Sequence, residues 1–200
     1  MMDFPEGPRR VLLVIDPLRR YTESGAPFEA EGAPATTLRI AEAARVARAR
    51  GIPVVWTTRS SRPQVGMGVR TKAAYGDRLD AFSGEWAELD PLLGVQPDDV
   101  IIDKPRHSAF FSTDLDLILR SWGIDEVLIA GFTINVCCLA TAYDAVARDY
   151  RVTFLSDLCG ARPARSPSGE EIPPTEVIRM TLSMVEYALG STALAEEVLA

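Results

Sequence analysis

The sequence predicts a three-layer α/β/α fold around a mostly parallel sheet of five or six strands, with helices on both faces. Short apolar runs alternate with longer stretches of helical period, the appearance of successive βαβ units. The runs are continuously apolar rather than alternating, as in strands covered on both sides. In addition, 200 residues of which 47% are hydrophobic suffice for one α/β domain. A chain of this size buries roughly 70% of its unfolded surface. Residues 1–200 are therefore read as a single domain.

Taken in order, VLLVID (11–16) is the first buried strand. TTLRIAEAARVARARG (36–51) is rich in alanine and arginine, opens on threonines that can cap a helix and closes on Gly51, so it reads as a helix. IPVVWTTR (52–59) is the second strand. Residues 60–97 have little periodicity and contain Gly66, Gly68, Gly76 and Gly84, which predicts irregular structure and short helices beside a pocket. DDVIIDK (98–104) is the third strand. In STDLDLILRSWG (112–123), Leu115, Ile118, Leu119 and Trp122 fall on one helical face, with Ser112 or Thr113 as cap and Gly123 as stop. EVLIAGF (126–132) is the fourth strand and runs at once into the helix VCCLATAYDAVARD (136–149). RVTFLSD (151–157) is the fifth, followed by the loop ARPARSPSGEEIPP (161–174) and the helix PTEVIRMTLSMVEYAL (174–189), which has Pro and Thr near its start. Residues 192–194 offer a sixth strand. The resulting arrangement is Rossmann-like.

A formal charge of -7, with arginines scattered among acids, opposes attraction to phosphate backbones. Nucleic acid is not the expected partner; a small-molecule substrate is. No apolar stretch approaches the roughly 20 residues of a membrane span. The opening MMDFPEGPRR lacks the basic start, apolar middle and cleavage site of a signal peptide, so a cytoplasmic protein is expected. Three cysteines, two of them adjacent, make no disulfide framework and read as free thiols. With one histidine and no C-x-x-C, neither a metal nor another cofactor is expected.

In an open parallel sheet ligands bind beyond the carboxyl ends of the strands. Strand one ends at Asp16, strand three at Lys104, and the turn after strand four carries Cys137. A thiol near a helix N-terminus meets the positive end of the backbone dipole, which favours the thiolate. Free amides there can also hold a developing oxyanion. Asp16 is placed to accept the thiol proton and return it to a leaving nitrogen, and Lys104 to offset negative charge. Each residue also has an ordinary reading: Cys137 as buried filler, Asp16 as a strand-end cap, Lys104 as a solvated charge. Their common edge favours the chemical one. Cys138 and Cys159 fit the filler reading.

The stretches VLLVIDPLRRY, DKPRHSAFFSTDL and GFTINVCCLATAYDAVARDY, in that order over residues 11–157, resemble the isochorismatase-like cysteine hydrolase superfamily. It includes nicotinamidases, N-carbamoylsarcosine amidases, biuret and ureidoacrylate amidohydrolases, and isochorismatases. The resemblance implies a hydrolase that opens a small amide, carbamoyl or ureido C–N bond through a thioester. Asp16 would be the base, Lys104 the cationic stabiliser and Cys137 the nucleophile. It further implies a cis peptide joining Phe132 to Thr133, which aims the Thr133 and Cys137 amides at one point as an oxyanion hole. Asn135 would pin that turn. Homo-oligomers, dimers or tetramers, are common in the family and expected here.

Three departures from the family pattern matter. Leu18 stands where many members carry glutamine two residues after the catalytic Asp. WTTRSSRP lacks the Asp and His residues that give nicotinamidases their metal site. Isochorismatases share a stretch like RHSAFFSTDL, yet several carry no cysteine at the nucleophile position and cleave an enol ether by acid catalysis. An enol-ether hydrolase using Asp16 as acid is thus one alternative, and a noncatalytic binding or scaffold protein is another. His107 reads as a loop residue in preference to the base of a Cys-His dyad. Among apolar residues near the pocket edge (Tyr21, Phe28, Met67, Trp86, Phe110, Phe132), Tyr21, Phe110 and Phe132 are the expected substrate contacts, with Arg106 for a carboxylate or carbonyl. Arg59, Arg62 and Arg70 read as a solvated loop rather than as selectors of an anion.

Overall fold

The computed structural model describes residues 9–59 and 68–199. Arg62, Gly66, Met67 and the Arg70 side chain fall outside the described residues, as does the opening MMDFPEGP. The chain runs β1 (Arg10–Ile15), α1 (Arg19–Thr22), α2 (Ala33–Ala49), β2 (Val54–Thr58), α3 (Gly68–Tyr75), β3 (Val100–Asp103), α4 (Leu115–Ser121), β4 (Glu126–Phe132), α5 (Leu139–Val146), β5 (Arg151–Gly160), β6 (Ala164–Arg165), β7 (Glu171–Ile172), α6 (Pro174–Ala188), β8 (Ser191–Ala193) and α7 (Ala195–Leu199). Six strands form one sheet in the order β3-β2-β1-β4-β5-β8. Every pairing in it is parallel. The outer strand expected at residues 192–194 is present one residue earlier, as Ser191–Ala193, and the predicted loop 161–174 holds the small β6–β7 hairpin.

Successive residues of the central strands alternate between two cores. Val11, Leu13 and Ile15 of β1 face α4, α5 and α6 through Leu115, Leu119, Ala142, Val177 and Val185. Leu12 and Val14 face the opposite layer, where α2 contributes Ile40, Ala43, Ala44 and Ala47. This two-sided burial is why the strands read as unbroken apolar runs. The chain winds outward in both directions from the β1–β4 pair, so the carboxyl ends of these strands form the topological switch point where open α/β sheets place ligands.

Three local predictions shift. Helix α2 begins at Ala33, behind Gly32 at φ 67°, with Pro34 in its first turn. The threonines expected to cap it lie inside, and Thr37 Oγ1 donates back to the Ala33 carbonyl. α4 is shorter than its periodic segment, because Ser112 stands at φ 53° and delays the start to Leu115. The helix expected from residue 136 opens instead as a π turn, Ile134–Cys138, before becoming α5.

Candidate active site

β1 ends one residue before Asp16, whose φ is 44°. Aspartate is among the few non-glycine residues that enter this region readily, and such backbone collects at functional turns. The turn closes through the Leu18 amide donating to the Asp16 carbonyl at 2.7 Å. Thr57 of β2 holds Asp16 twice: its hydroxyl accepts from the Asp16 amide at 2.9 Å and donates to Oδ1 at 2.7 Å. On the other carboxylate oxygen, Lys104 Nζ sits 2.8 Å from Oδ2, with both side chains fully buried. That contact lies off the line of a directed hydrogen bond, so Oδ2 keeps acceptor capacity. Lys104 spends a proton instead on the Arg106 carbonyl at 3.0 Å.

Cys137 approaches the same carboxylate from β4. Gly131, at φ 112°, passes so close to β1 that a Cβ there would lie 2.1 Å from the Ile15 carbonyl oxygen. Only glycine permits this approach. The Phe132–Thr133 peptide is cis. The π turn that follows brings Cys137 to a cavity of about 160 Å³, which Tyr21, Phe28, Thr133 and Asn135 also line. Cys137 is 2% exposed. Thr133, named with Cys137 for an oxyanion hole, shares this wall.

The expectation of a resting thiolate does not hold. Burial pushes the Cys137 thiol up to about 11, against the opposing pull of Lys104, and the negative charge of Asp16 raises it further. The dipole of a single turn does not offset that desolvation, so at neutral pH the sulfur carries its proton. His107 Nδ1 lies 3.7 Å from the sulfur. Burial, then Arg59 and Lys104, lower His107 to about 4. Neutral imidazole beside neutral thiol is no thiolate–imidazolium pair.

Other expected contacts are distributed unevenly. Tyr21 and Phe28 line the cavity. Phe132 lies behind them, stacked on Tyr21 with centroids 6.4 Å apart. Phe110 is elsewhere: it packs on Tyr150 in the α4–α6 core, with Arg148 over its ring. The Arg106 side chain is absent from the cavity wall, and its guanidinium donates to the neighbouring Pro105 carbonyl. Trp86 also stands off the wall, and Leu18 is core, bridging to Leu89. Arg59, read as solvated, is 3% exposed and faces the cavity.

Sequence reasoning missed several residues that hold the site. Thr57 looked like any β2 residue. Arg20, fully buried, donates to the Ala81 and Arg59 carbonyls and lies 4.7 Å from the Phe82 ring centroid. Thr141 of α5 donates to the Cys137 carbonyl at 2.7 Å and accepts from the Ala109 amide at 3.0 Å. Among the described residues no three His, Cys, Asp or Glu side chains gather as a metal site.

Known proteins carry the same framework. The sequence is 31% identical to N-carbamoylsarcosine amidase from Arthrobacter over 162 residues, 78% of this chain and 61% of that relative. It thus spans less than two thirds of the relative's length. A probable inactive nicotinamidase of Arabidopsis thaliana is 35% identical over 159 residues, 75% of this chain and 80% of the relative. The crystal structure of a cysteine hydrolase from Pseudomonas syringae pv. phaseolicola superposes with a TM-score of 0.91 at 27% identity, covering 98% of this chain and 94% of that one. The isochorismatase domain model matches residues 10–169. With one model fitted from the first residue of β1 to the turn between β6 and β7, well over half of its length, the chain belongs to the isochorismatase family.

Proposed function

We propose that the protein is a cysteine-dependent hydrolase that opens a C–N bond of a small amide, carbamoyl or ureido compound through a thioester. One observation carries the reading: a thiol on the cavity wall lies within electrostatic reach of the buried carboxylate that an ammonium contacts at 2.8 Å. As the sulfur attacks the scissile carbonyl carbon, its proton passes to Asp16, so the carboxylate negative charge is consumed while one develops on the substrate oxygen. Lys104 and the Thr133 and Cys137 amides offset that charge. Collapse of the tetrahedral adduct breaks the C–N bond, and Asp16 returns the proton to the leaving nitrogen. Water, deprotonated by Asp16, then cleaves the thioester and restores the thiol.

The test is mass spectrometry of protein quenched during incubation with pooled amide, carbamoyl and ureido compounds. An acyl mass on Cys137 is expected, absent in Cys137→Ala, which should fold normally and lose turnover. Turnover retained by that variant would refute the reading. A noncatalytic role has one observation in its favour, the relative named as an inactive nicotinamidase. It requires that no compound of the pool be cleaved and that iodoacetamide modify Cys137 no faster than Cys138 or Cys159.

A further inference from the structure

The cavity wall is cationic. Arg59 and Arg162 line it, and among the described residues no aspartate or glutamate does. Arg59, at the end of β2, is the more deeply enclosed of the two, at 3% exposed. Its Nη1 hydrogen-bonds His107 Nδ1 at 3.2 Å, and its guanidinium carbon lies 5.3 Å from the Phe82 ring centroid. Its backbone is held as well, since Arg20 donates to the Arg59 carbonyl at 3.0 Å. No carboxylate stands within ion-pair distance of Arg59 among the described residues. The buried Asp16 carboxylate is engaged by Lys104. Arg162 lies over the Phe28 ring, 5.0 Å from its centroid, and its buried Nε has no partner.

A guanidinium withdrawn from water is normally matched by an anion. His107 does not supply one. Its Nδ1 accepts from Arg59 as a neutral ring, which orients the guanidinium and leaves the charge uncompensated. That same Nδ1 lies 3.7 Å from the Cys137 sulfur, so a short ligand can span the cation and the nucleophile.

We infer that Arg59, positioned by His107, is an anion-binding residue that selects substrates bearing a carboxylate a few bonds from the scissile carbonyl. The inference rests on the hydrolase reading for the word substrate, but the subsite itself does not depend on turnover. The cavity of about 160 Å³ limits the ligand to a small amic or carbamoyl acid. For scale, a cavity of about 150 Å³ accommodates benzene. Arginine suits the task because its planar fork meets a carboxylate with paired donors.

Two alkylating reagents of nearly equal size test this without catalysis: iodoacetate, an anion, and iodoacetamide, its neutral counterpart. The ratio of their rates at Cys137 cancels the thiolate fraction, and glutathione provides the reference ratio. The expected result is a Cys137 ratio at least about tenfold above that of glutathione, the scale of one charge-assisted hydrogen bond. Arg59→Gln should return it to within about twofold of glutathione, and Arg59→Lys should retain part of the preference. Wild-type protein offers a check that needs no variant: propionate should protect Cys137 from iodoacetamide at concentrations where propionamide does not. A glutathione-like ratio, failure of both reagents to reach Cys137, or loss of the preference in Arg162→Gln but not Arg59→Gln would overturn the assignment. The two ideas fail differently. An enzyme that acylates Cys137 without any charge preference refutes the subsite alone, whereas a charge preference with no acyl adduct refutes the hydrolase alone.

Discussion

Replacing Lys104 by methionine isolates the energetics on which the site depends. At 2.8 Å the Asp16–Lys104 attraction is about 6 kcal/mol at an effective dielectric of 20. Desolvating each ion costs several kcal/mol, so the pair as a whole contributes little net stability. Removing one member is different. In Lys104→Met the carboxylate stays enclosed, with Thr57 as its remaining strong donor, and the expected loss is about 3–5 kcal/mol. Adding Asp16→Asn removes the orphaned charge while keeping an acceptor for the Thr57 hydroxyl. The double variant should therefore regain most of that loss, to within about 1–2 kcal/mol of wild type, although both variants should be inactive. Urea unfolding followed by circular dichroism reads the midpoint, and an unchanged m-value shows that the shift is one of stability. A loss under about 1 kcal/mol in Lys104→Met, or a double variant no more stable than the single, would refute the claim that this carboxylate is sealed from water and held by a single cation.

Thr57→Val should lower kcat with little change in KM and cost about 1–3 kcal/mol, because the buried Asp16 amide loses its acceptor; Thr57→Ser should restore both, and a rate unaffected by valine would remove Thr57 as a positioning residue. Gly131→Ala should destabilise the protein by more than about 3 kcal/mol in urea, since its Cβ meets the Ile15 backbone and its φ is that of glycine. His107 gives stability a defined pH dependence. Its value falls from 6.5 free to about 4 folded, chiefly through burial, so between these the unfolded chain binds the extra proton. Its contribution is fully present above 6.5 and is lost as pH falls through about 4. His107→Gln should flatten that acid limb of the unfolding midpoint, and an unaltered limb would contradict the burial of a neutral ring.

The strands were legible because burial on both faces leaves an unbroken apolar run, and the trio was legible because strand ends in a parallel sheet share one edge. The departures have physical causes. Pro34 can enter a first helical turn, so α2 starts upstream of the threonines that resembled caps. Phe110 and Phe132 look alike in sequence, but they feed opposite cores, and only the layer of Phe132 reaches the cavity through Tyr21. Arg59 is indistinguishable from a loop arginine until α1 brings Arg20, and the turn over residues 76–82 brings Phe82, around it. Thr57 acts through a contact 41 residues distant in the chain, which no local pattern encodes.

The hydroxyl of Thr141 joins the carbonyl of Cys137 to the amide of Ala109. Two segments that supply the nucleophile and approach the ammonium are thereby stapled at a single oxygen. Opening either one exposes the other's polar group, so the two should come loose together as one cooperative unit. Hydrogen exchange would register this as matched protection at Ala109 and along the first turn of α5. Partial melting would then extinguish the site in a single step, with no population holding its sulfur in place beside a displaced lysine loop.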